Sequence, residues 1–189
     1  ADMLPESLGA QANQLLAQRA TILERLQAVA TLTPRMTRIR CHGDYHLAQL
    51  LWYENSFVII DFEGEPMRPL AERRRKQSPF KDVAGMLRSF SYAAYAALFA
   101  FTRTRPEDLG RLEPWAAYWQ HWISVRFLQS YLATAAGASF VPSERHDLAM
   151  LLKAFVLDKA LYELHYELNN RLDWLRIPLQ SILRLLEIY

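Results

Sequence analysis

Cysteine is nearly absent from this chain: of 189 residues only Cys41 carries a thiol. An internal disulfide is therefore excluded, and the composition suits a reducing compartment, the cytoplasm. An excess of one charge is also missing. The 22 Lys and Arg stand against 20 Asp and Glu, for a formal net charge of +2. No general nucleic-acid surface is expected from that balance. No apolar run reaches the roughly 18 residues that a membrane span requires; the stretch 92–101 is very apolar but short, and reads as a buried helix. No charged tip followed by an apolar block opens the chain, so no signal peptide is expected. Internal repeats and low-complexity tracts are lacking. Position 1 is Ala rather than Met, which suggests a processed or excised piece.

What is present is apolar. Hydrophobic residues make up 51% of the chain, enough for one domain over 1–189 with a sizeable core. Spacing predicts a helix over 7–32, with Leu8, Ala12, Leu15, Leu16, Arg19, Ile22, Leu23, Leu26 and Val29 on one stripe. Ser7 after Pro5 is its expected cap, and Thr33-Pro34 its stop. A short extended lead-in over 36–42 follows, in which Cys41 reads as a small core residue. Next comes a hairpin, Leu50–Tyr53 and Phe57–Ile60 about a turn at Glu54-Asn55-Ser56. Its apolar strands predict a buried element with rigid ends. The span 63–79 reads as a long loop with one helical turn, and its run Glu72-Arg73-Arg74-Arg75-Lys76 as either a solvated face or a basic rim for phosphate or a second domain. Helices are expected at 80–101, 113–136, 143–171 and 178–188, with Ser78-Pro79, Pro114, Pro142 and Pro178 near their starts. The class is mainly α with one small β-hairpin.

The chemistry-bearing residues crowd into Arg40–Pro66, RCHGDYHLAQLLWYENSFVIIDFEGEP. The open end of the hairpin brings together His42, Asp44, His46 and Gln49 on one side and Asp61 and Glu63 on the other. Phosphoryl transfer needs a carboxylate to take the proton of the attacking hydroxyl, and hard oxygen ligands for Mg²⁺. Asp44 fits the first role; Gln49 and Asp61 fit the second. Asp61 ends an apolar strand, where a carboxylate without a ligand is awkwardly desolvated. Glu63 is either a metal or supporting group or a plain loop acid. His46 either touches substrate or product phosphate or does not. His42 reads as a brace of the loop. A rival reading takes His42, Asp44 and His46 as alternating residues on one face of an extended chain, able to bind Zn²⁺ in a hydrolase. A second rival is a non-catalytic helical binding module.

The motifs HGDYH and DFE resemble the catalytic loop and metal motif of the protein-kinase-like superfamily, in its aminoglycoside phosphotransferase-like branch. The longer strings HGDYHLAQ, IIDFEGEPMRPLAERRRKQSP, KDVAGMLRSFSYAA and KALYELHYELNNRLDWLRIPL are similar to bacterial maltokinases, including those fused to trehalose synthase. The similarity runs from about residue 38 to the end. Ala48 and Leu172 depart from the family pattern, which has Gly and Pro there. The resemblance implies the C-terminal lobe of a kinase-like fold, with a catalytic loop over 41–49, a metal motif over 61–63 and a helical subdomain over 80–189. It implies transfer of the ATP γ-phosphate to maltose with Mg²⁺, within α-glucan metabolism, and a brace from Asp82 to the backbone at His42-Gly43, beside a bland role as helix cap. Tyr162, Glu163, Tyr166 and Asn170, with Glu167, recur on one helix as an aromatic and carboxylate stripe suited to a disaccharide. Trp115, Tyr118, Trp119 and Trp122 form a second stripe, expected to pack first and touch sugar second.

The first lysine is Lys76, and Gly9 is the only glycine before Gly43. A phosphate-covering loop and strand lysine, which the family carries in an N-terminal lobe, are therefore not expected here. The isolated chain should fold yet be nearly inactive, with an exposed lobe-facing surface and a homodimer as a further expectation. No nucleic acid and no membrane partner is expected. Another small-molecule kinase, of aminoglycoside or choline type, is the alternative within the same class.

Overall fold

The computed structural model describes residues 6–32 and 36–187. Pro5 and the expected stop at Thr33-Pro34 lie outside the described residues, as do the side chains of Ser7 and Val29. In chain order come α1 (Glu6–Ala17), α2 (Arg19–Leu32), β1 (Leu50–Tyr53), β2 (Ser56–Ile59), α3 (Leu70–Arg73), α4 (Phe80–Thr102), α5 (Leu109–Thr134), α6 (Arg145–Asn170) and α7 (Arg176–Glu187). They form two compact units, Thr37–Val141 and Ala1–Met36 with Pro142–Tyr189. The boundary thus falls inside the stretch 80–189 expected as one helical subdomain.

The unit of Ala1–Met36 and Pro142–Tyr189 contains α1, α2, α6 and α7. The single helix expected over 7–32 is two, broken at Gln18. The core line nonetheless continues across the break: Leu8, Leu15 and Ile22, seven residues apart, join Leu157, Ala160, Leu175, Leu179 and Ile182 in one cluster. Leu16 and Leu23, placed on the same stripe by the sequence, are 71% and 48% exposed. They sit about 100° round the helix from Leu15 and Ile22. Helix α7 begins at Arg176, two residues before the expected Pro178. Pro178 is tolerated there because the first-turn N–H groups have no partner in the helix.

The unit Thr37–Val141 is built on α4. This helix buries Phe80, Val83, Met86, Leu87, Phe90, Ala94, Tyr95 and Leu98, as its nearly continuous apolar sequence predicts. Helix α5 runs antiparallel to it: Phe80 meets Tyr131, Phe90 meets Phe127, and the Tyr95 hydroxyl donates to Glu113 at 2.9 Å. Helix α5 begins at Leu109 and so contains Pro114, which the sequence placed at its start. The stripe Trp115, Tyr118, Trp119 and Trp122 is not packed; these side chains are 48–69% exposed.

The hairpin pairs Leu50 with Ile59 and Tyr53 with Ser56. Its turn has two residues, not three, because Glu54 and Asn55 both take positive φ, 46° and 61°, the signature of the turn that suits strand twist. The expectation of burial fails. Leu51, Trp52, Tyr53, Phe57, Val58 and Ile59 are all exposed. Strands apolar on both faces are the pattern of a sheet covered on both sides, and among the described residues neither face is covered. The lead-in over 36–42 makes a single bridge, Ile39 with Gln77. Among the described residues no helix is long and apolar enough to cross a membrane.

Candidate active site

Three positions on one face of α4 receive the loop that holds Asp44. Asp82, Gly85 and Ser89 stand three and four residues apart, so they share a helical face. The Asp82 carboxylate accepts the backbone N–H of His42 at 2.6 Å and of Gly43 at 2.9 Å. The Ser89 hydroxyl accepts the N–H of Leu47 at 2.8 Å. Between them the helix must approach the loop closely. A Cβ at Gly85 would lie 2.6 Å from the Tyr45 carbonyl oxygen, so only glycine fits. Sequence reasoning found Asp82 and missed Gly85 and Ser89. The available signal was a glycine inside an otherwise strongly apolar helix.

A second contact joins this loop to the one carrying Asp61. Gly43 and Gly64 both have positive φ, and a Cβ on Gly43 would lie 3.3 Å from the Gly64 Cα. The buried His42 ring adds a hydrogen bond. Its Nε2 lies 2.7 Å from the Ile60 carbonyl, so Nε2 carries the proton, and Nδ1 faces the Asp44 N–H at 3.4 Å. The ring also lies against Phe62, with centroids 5.0 Å apart.

The functional atoms sit on this frame. Asp44 is 18% exposed, and its Oδ2 lies 3.6 Å from His46 Nε2. Gln49 is buried at the open end of the hairpin, where its carbonyl accepts the Ile60 N–H at 3.0 Å. Its amide Nε2 donates to Asp61 Oδ2 at 2.9 Å. Asp61 is exposed and has φ 63°, a backbone region rare for a residue with a side chain and common at functional sites. The Glu63 side chain is exposed, while its carbonyl accepts Arg73 Nη1 at 3.4 Å. Arg73, from the charge run, lays its stem within 3.5 Å of where a Gly64 Cβ would be, and its Nε is buried without a hydrogen-bond partner. Sequence reasoning did not single out Arg73 within its run.

This donor set fits a hard divalent cation. With Nε2 spent on Asp61, Gln49 Oε1 remains available, as does the second Asp61 oxygen. Mg²⁺ accepts a few protein oxygens and completes its shell with water and phosphate. The zinc alternative fits poorly: both His42 nitrogens face backbone groups, and among the described residues no three His, Cys, Asp or Glu side chains are grouped to hold a metal. The Asp82 charge reaches further. Burial first and Asp82 second push the Cys41 thiol up to about 11, and raise the Tyr45 phenol in the same order.

The predicted sugar stripe belongs to α6, in the other unit. Glu163 is buried there, and Tyr166 is 43% exposed. The Lys159 ammonium sits 5.0 Å from the centre of the Tyr162 ring. Asn170 donates its amide to the Tyr166 carbonyl at 2.8 Å. Glu167, 1% exposed, takes both arms of Arg171 at 2.9 and 2.6 Å, and the Arg171 guanidinium lies 5.0 Å from the Trp174 ring.

No family model matches the chain. The chain is similar to glucosamine kinase of Streptacidiphilus jiangxiensis, 32% identical over 98 residues, which are 52% of this chain and 21% of that protein. It is also similar to glucosamine kinase of Mycolicibacterium smegmatis (strain ATCC 700084 / mc(2)155), 31% identical over 150 residues, 77% of this chain and 34% of that protein. Among solved structures, crystal form B of a glucosamine kinase superposes with a TM-score of 0.72 at 25% identity, covering 94% of this chain and 40% of that one. A glucosamine kinase in complex with glucosamine, ADP and inorganic phosphate superposes at 0.66, with the same identity and coverage. The chain is a relative of sugar kinases with a kinase-like fold, and it spans less than half the length of these matched proteins, from 21% to 46%.

Proposed function

We propose that this chain carries the base, the metal ligands and the sugar contacts of an ATP-dependent sugar kinase. The observation that carries the reading is the bond from Gln49 to Asp61 beside the Asp44 loop, with both loops tied through His42 and Gly43. Asp44 orients the acceptor hydroxyl and takes its proton as the oxygen attacks the γ-phosphorus. The bond from that phosphorus to the bridging oxygen breaks, and ADP leaves. Gln49 and Asp61, with Glu63 as a further candidate, would hold Mg²⁺, which would supply charge neutralisation at the phosphates. His42 and Asp82 keep the loop in place and do not touch substrate. His46, whose Nε2 lies 3.6 Å from Asp44 Oδ2, is the proposed contact to substrate or product phosphate.

The acceptor proposed from the sequence strings is maltose, phosphorylated at its anomeric hydroxyl in the cytoplasm, with Tyr162, Glu163, Tyr166 and Asn170 as sugar contacts. A second acceptor, glucosamine, is favoured by the names of the matched relatives. We further propose that the ATP phosphates need a lysine and a covering loop from another lobe. The uncovered hairpin is where that lobe, or a second copy, seats; a fused trehalose synthase remains part of this proposal. The test is ³¹P NMR of reaction mixtures holding ATP, Mg²⁺ and either maltose or glucosamine, for this chain alone and for the chain joined to a nucleotide-binding lobe. The joined form should give one sugar phosphate at roughly 1–100 s⁻¹, and the chain alone almost none. Turnover at that rate by the chain alone would remove the need for a second lobe. No sugar phosphate from either form would remove the kinase reading.

A further inference from the structure

Gly64 stands where two loops and a third segment meet. A Cβ built on it would lie 3.4 Å from the His42 carbonyl oxygen and 3.5 Å from the Arg73 Cβ and Cδ, and its Cα would lie 3.3 Å from a Cβ on Gly43. His42 and Gly43 belong to the loop of Asp44, and Gly64 to the loop of Asp61. Arg73 brings in the third segment, 65–79. That segment is fastened on both sides. In α3 the Arg73 N–H donates to the Pro69 carbonyl at 3.1 Å. Further on, Gln77 exchanges two backbone bonds with Ile39, at 2.9 and 3.0 Å, and the Cys41 thiol lies 3.6 and 3.5 Å from the Gln77 and Ser78 carbonyls. Ile39 and Cys41 lead straight into His42, so the segment runs as a strap from the loop of Asp61 to the lead-in of the loop of Asp44.

Within the run Glu72-Arg73-Arg74-Arg75-Lys76 the cations are not equivalent. Arg74, Arg75 and Lys76 are exposed, and Arg73 is half-buried. Its stem lies along Gly64, its Nη1 donates to the Glu63 carbonyl at 3.4 Å, and its Nε is buried without a hydrogen-bond partner. A buried donor left unbonded costs stability, and an arginine serving only as surface charge keeps its head group in water. Arg73 instead holds the peptide between Glu63 and Gly64, shortly after Asp61 with its φ of 63°. Such a backbone persists only where its surroundings fix it. Upstream, Ile60 is tied to Gln49 and His42; downstream, Arg73 ties Glu63.

We infer that Arg73 is a positioning residue of the metal motif: it holds the Glu63–Gly64 peptide so that the Asp61 carboxylate stays against Gln49 in the arrangement that accepts a divalent cation. The inference rests on the metal site of the kinase reading and adds the residue that sets its geometry. Arg74 and Arg75 have no part in it.

Mn²⁺ is the probe, because it takes the same oxygen ligands as Mg²⁺ and broadens NMR signals close to it. It is titrated into this chain labelled with ¹⁵N and ¹³C, and the side-chain amide signals of Gln49 are followed. Arg73→Met keeps much of the stem and removes the donor. It should weaken Mn²⁺ about tenfold, as loss of a group that orients metal ligands does, and move the Glu63 carbonyl carbon signal, with melting temperature nearly unchanged. Charge alone predicts the opposite sign, since removing a cation near the site favours Mn²⁺. Arg73→Lys keeps a donor and should fall between. Arg74→Ala combined with Arg75→Ala should bind Mn²⁺ at least as tightly as the wild type. Unchanged or tighter binding in Arg73→Met overturns the inference and leaves the metal site standing. So does equal weakening by the Arg74 and Arg75 pair, or an Arg73→Lys chain that binds no tighter than Arg73→Met. No broadening at Gln49 in the wild type is a separate result, which removes the metal site itself and the inference with it.

Discussion

Replacing Asp82 by Ala removes the anchor of the Asp44 loop while touching no proposed substrate group. Two backbone N–H donors lose a charged acceptor, that of His42 at 2.6 Å and that of Gly43 at 2.9 Å. Hydrogen bonds to charged groups contribute about 1.5–3 kcal/mol each. Both donors are only part-buried, so water replaces some of the loss and the lower end applies, about 3 kcal/mol for the pair. That is roughly a hundredfold in a local opening equilibrium. Amide hydrogen exchange followed by NMR should therefore show His42 and Gly43 exchanging about 100-fold faster in Asp82→Ala. Amides in the middle of α5 should be unchanged. Asp82→Asn keeps one acceptor oxygen and should fall between. Equal exchange at His42 and Gly43 in the wild type and the Ala variant would show that α4 does not hold the loop in solution.

Three other outcomes follow from the same geometry. Gly85→Ala places a methyl 2.6 Å from the Tyr45 carbonyl and should destabilise the chain by about 1–3 kcal/mol, read as a lowered urea midpoint; an unchanged midpoint contradicts the close approach. The Cys41 thiol, raised from 9.0 to about 11 by burial and then Asp82, keeps its proton in the folded chain where the unfolded chain loses it. Its contribution to stability is thus full below pH 9 and lost as pH rises towards 11, so Cys41→Ala should flatten the fall in stability over that window, measured by urea titration at several pH values. Asp61→Ala should abolish Mg²⁺-dependent ADP binding in the form joined to a nucleotide-binding lobe; unchanged calorimetric affinity would remove Asp61 from the metal site.

The residues that bond locally were the easiest to read. The hairpin strands, the long α4 and the cluster His42, Asp44, Gln49 and Asp61 follow from short spacings and apolar runs in the sequence. Tertiary partners were harder. Nothing near Asp82 in sequence indicates that its carboxylate reaches back forty residues to His42, and that expectation came from resemblance. Gly85 and Ser89 became visible only once the loop lay against α4. The exposure of Trp52, Phe57, Trp115 and Trp122 went unread because period and hydrophobicity describe which face is apolar, not whether anything covers it. The break at Gln18 was missed because the line Leu8, Leu15, Ile22 is seven-residue periodic through it, so the stripe looked continuous.

The proposed role of Asp44 is to take a proton from a sugar hydroxyl during phosphoryl transfer. It is tested most directly by Asp44→Asn in the active form joined to a nucleotide-binding lobe, with kcat from coupled ADP release and sugar affinity from calorimetry. The expected loss is about 10²–10⁴-fold in kcat, with sugar and Mg²⁺–ADP affinities nearly unchanged. Near-normal kcat in the purified, folded variant would contradict it.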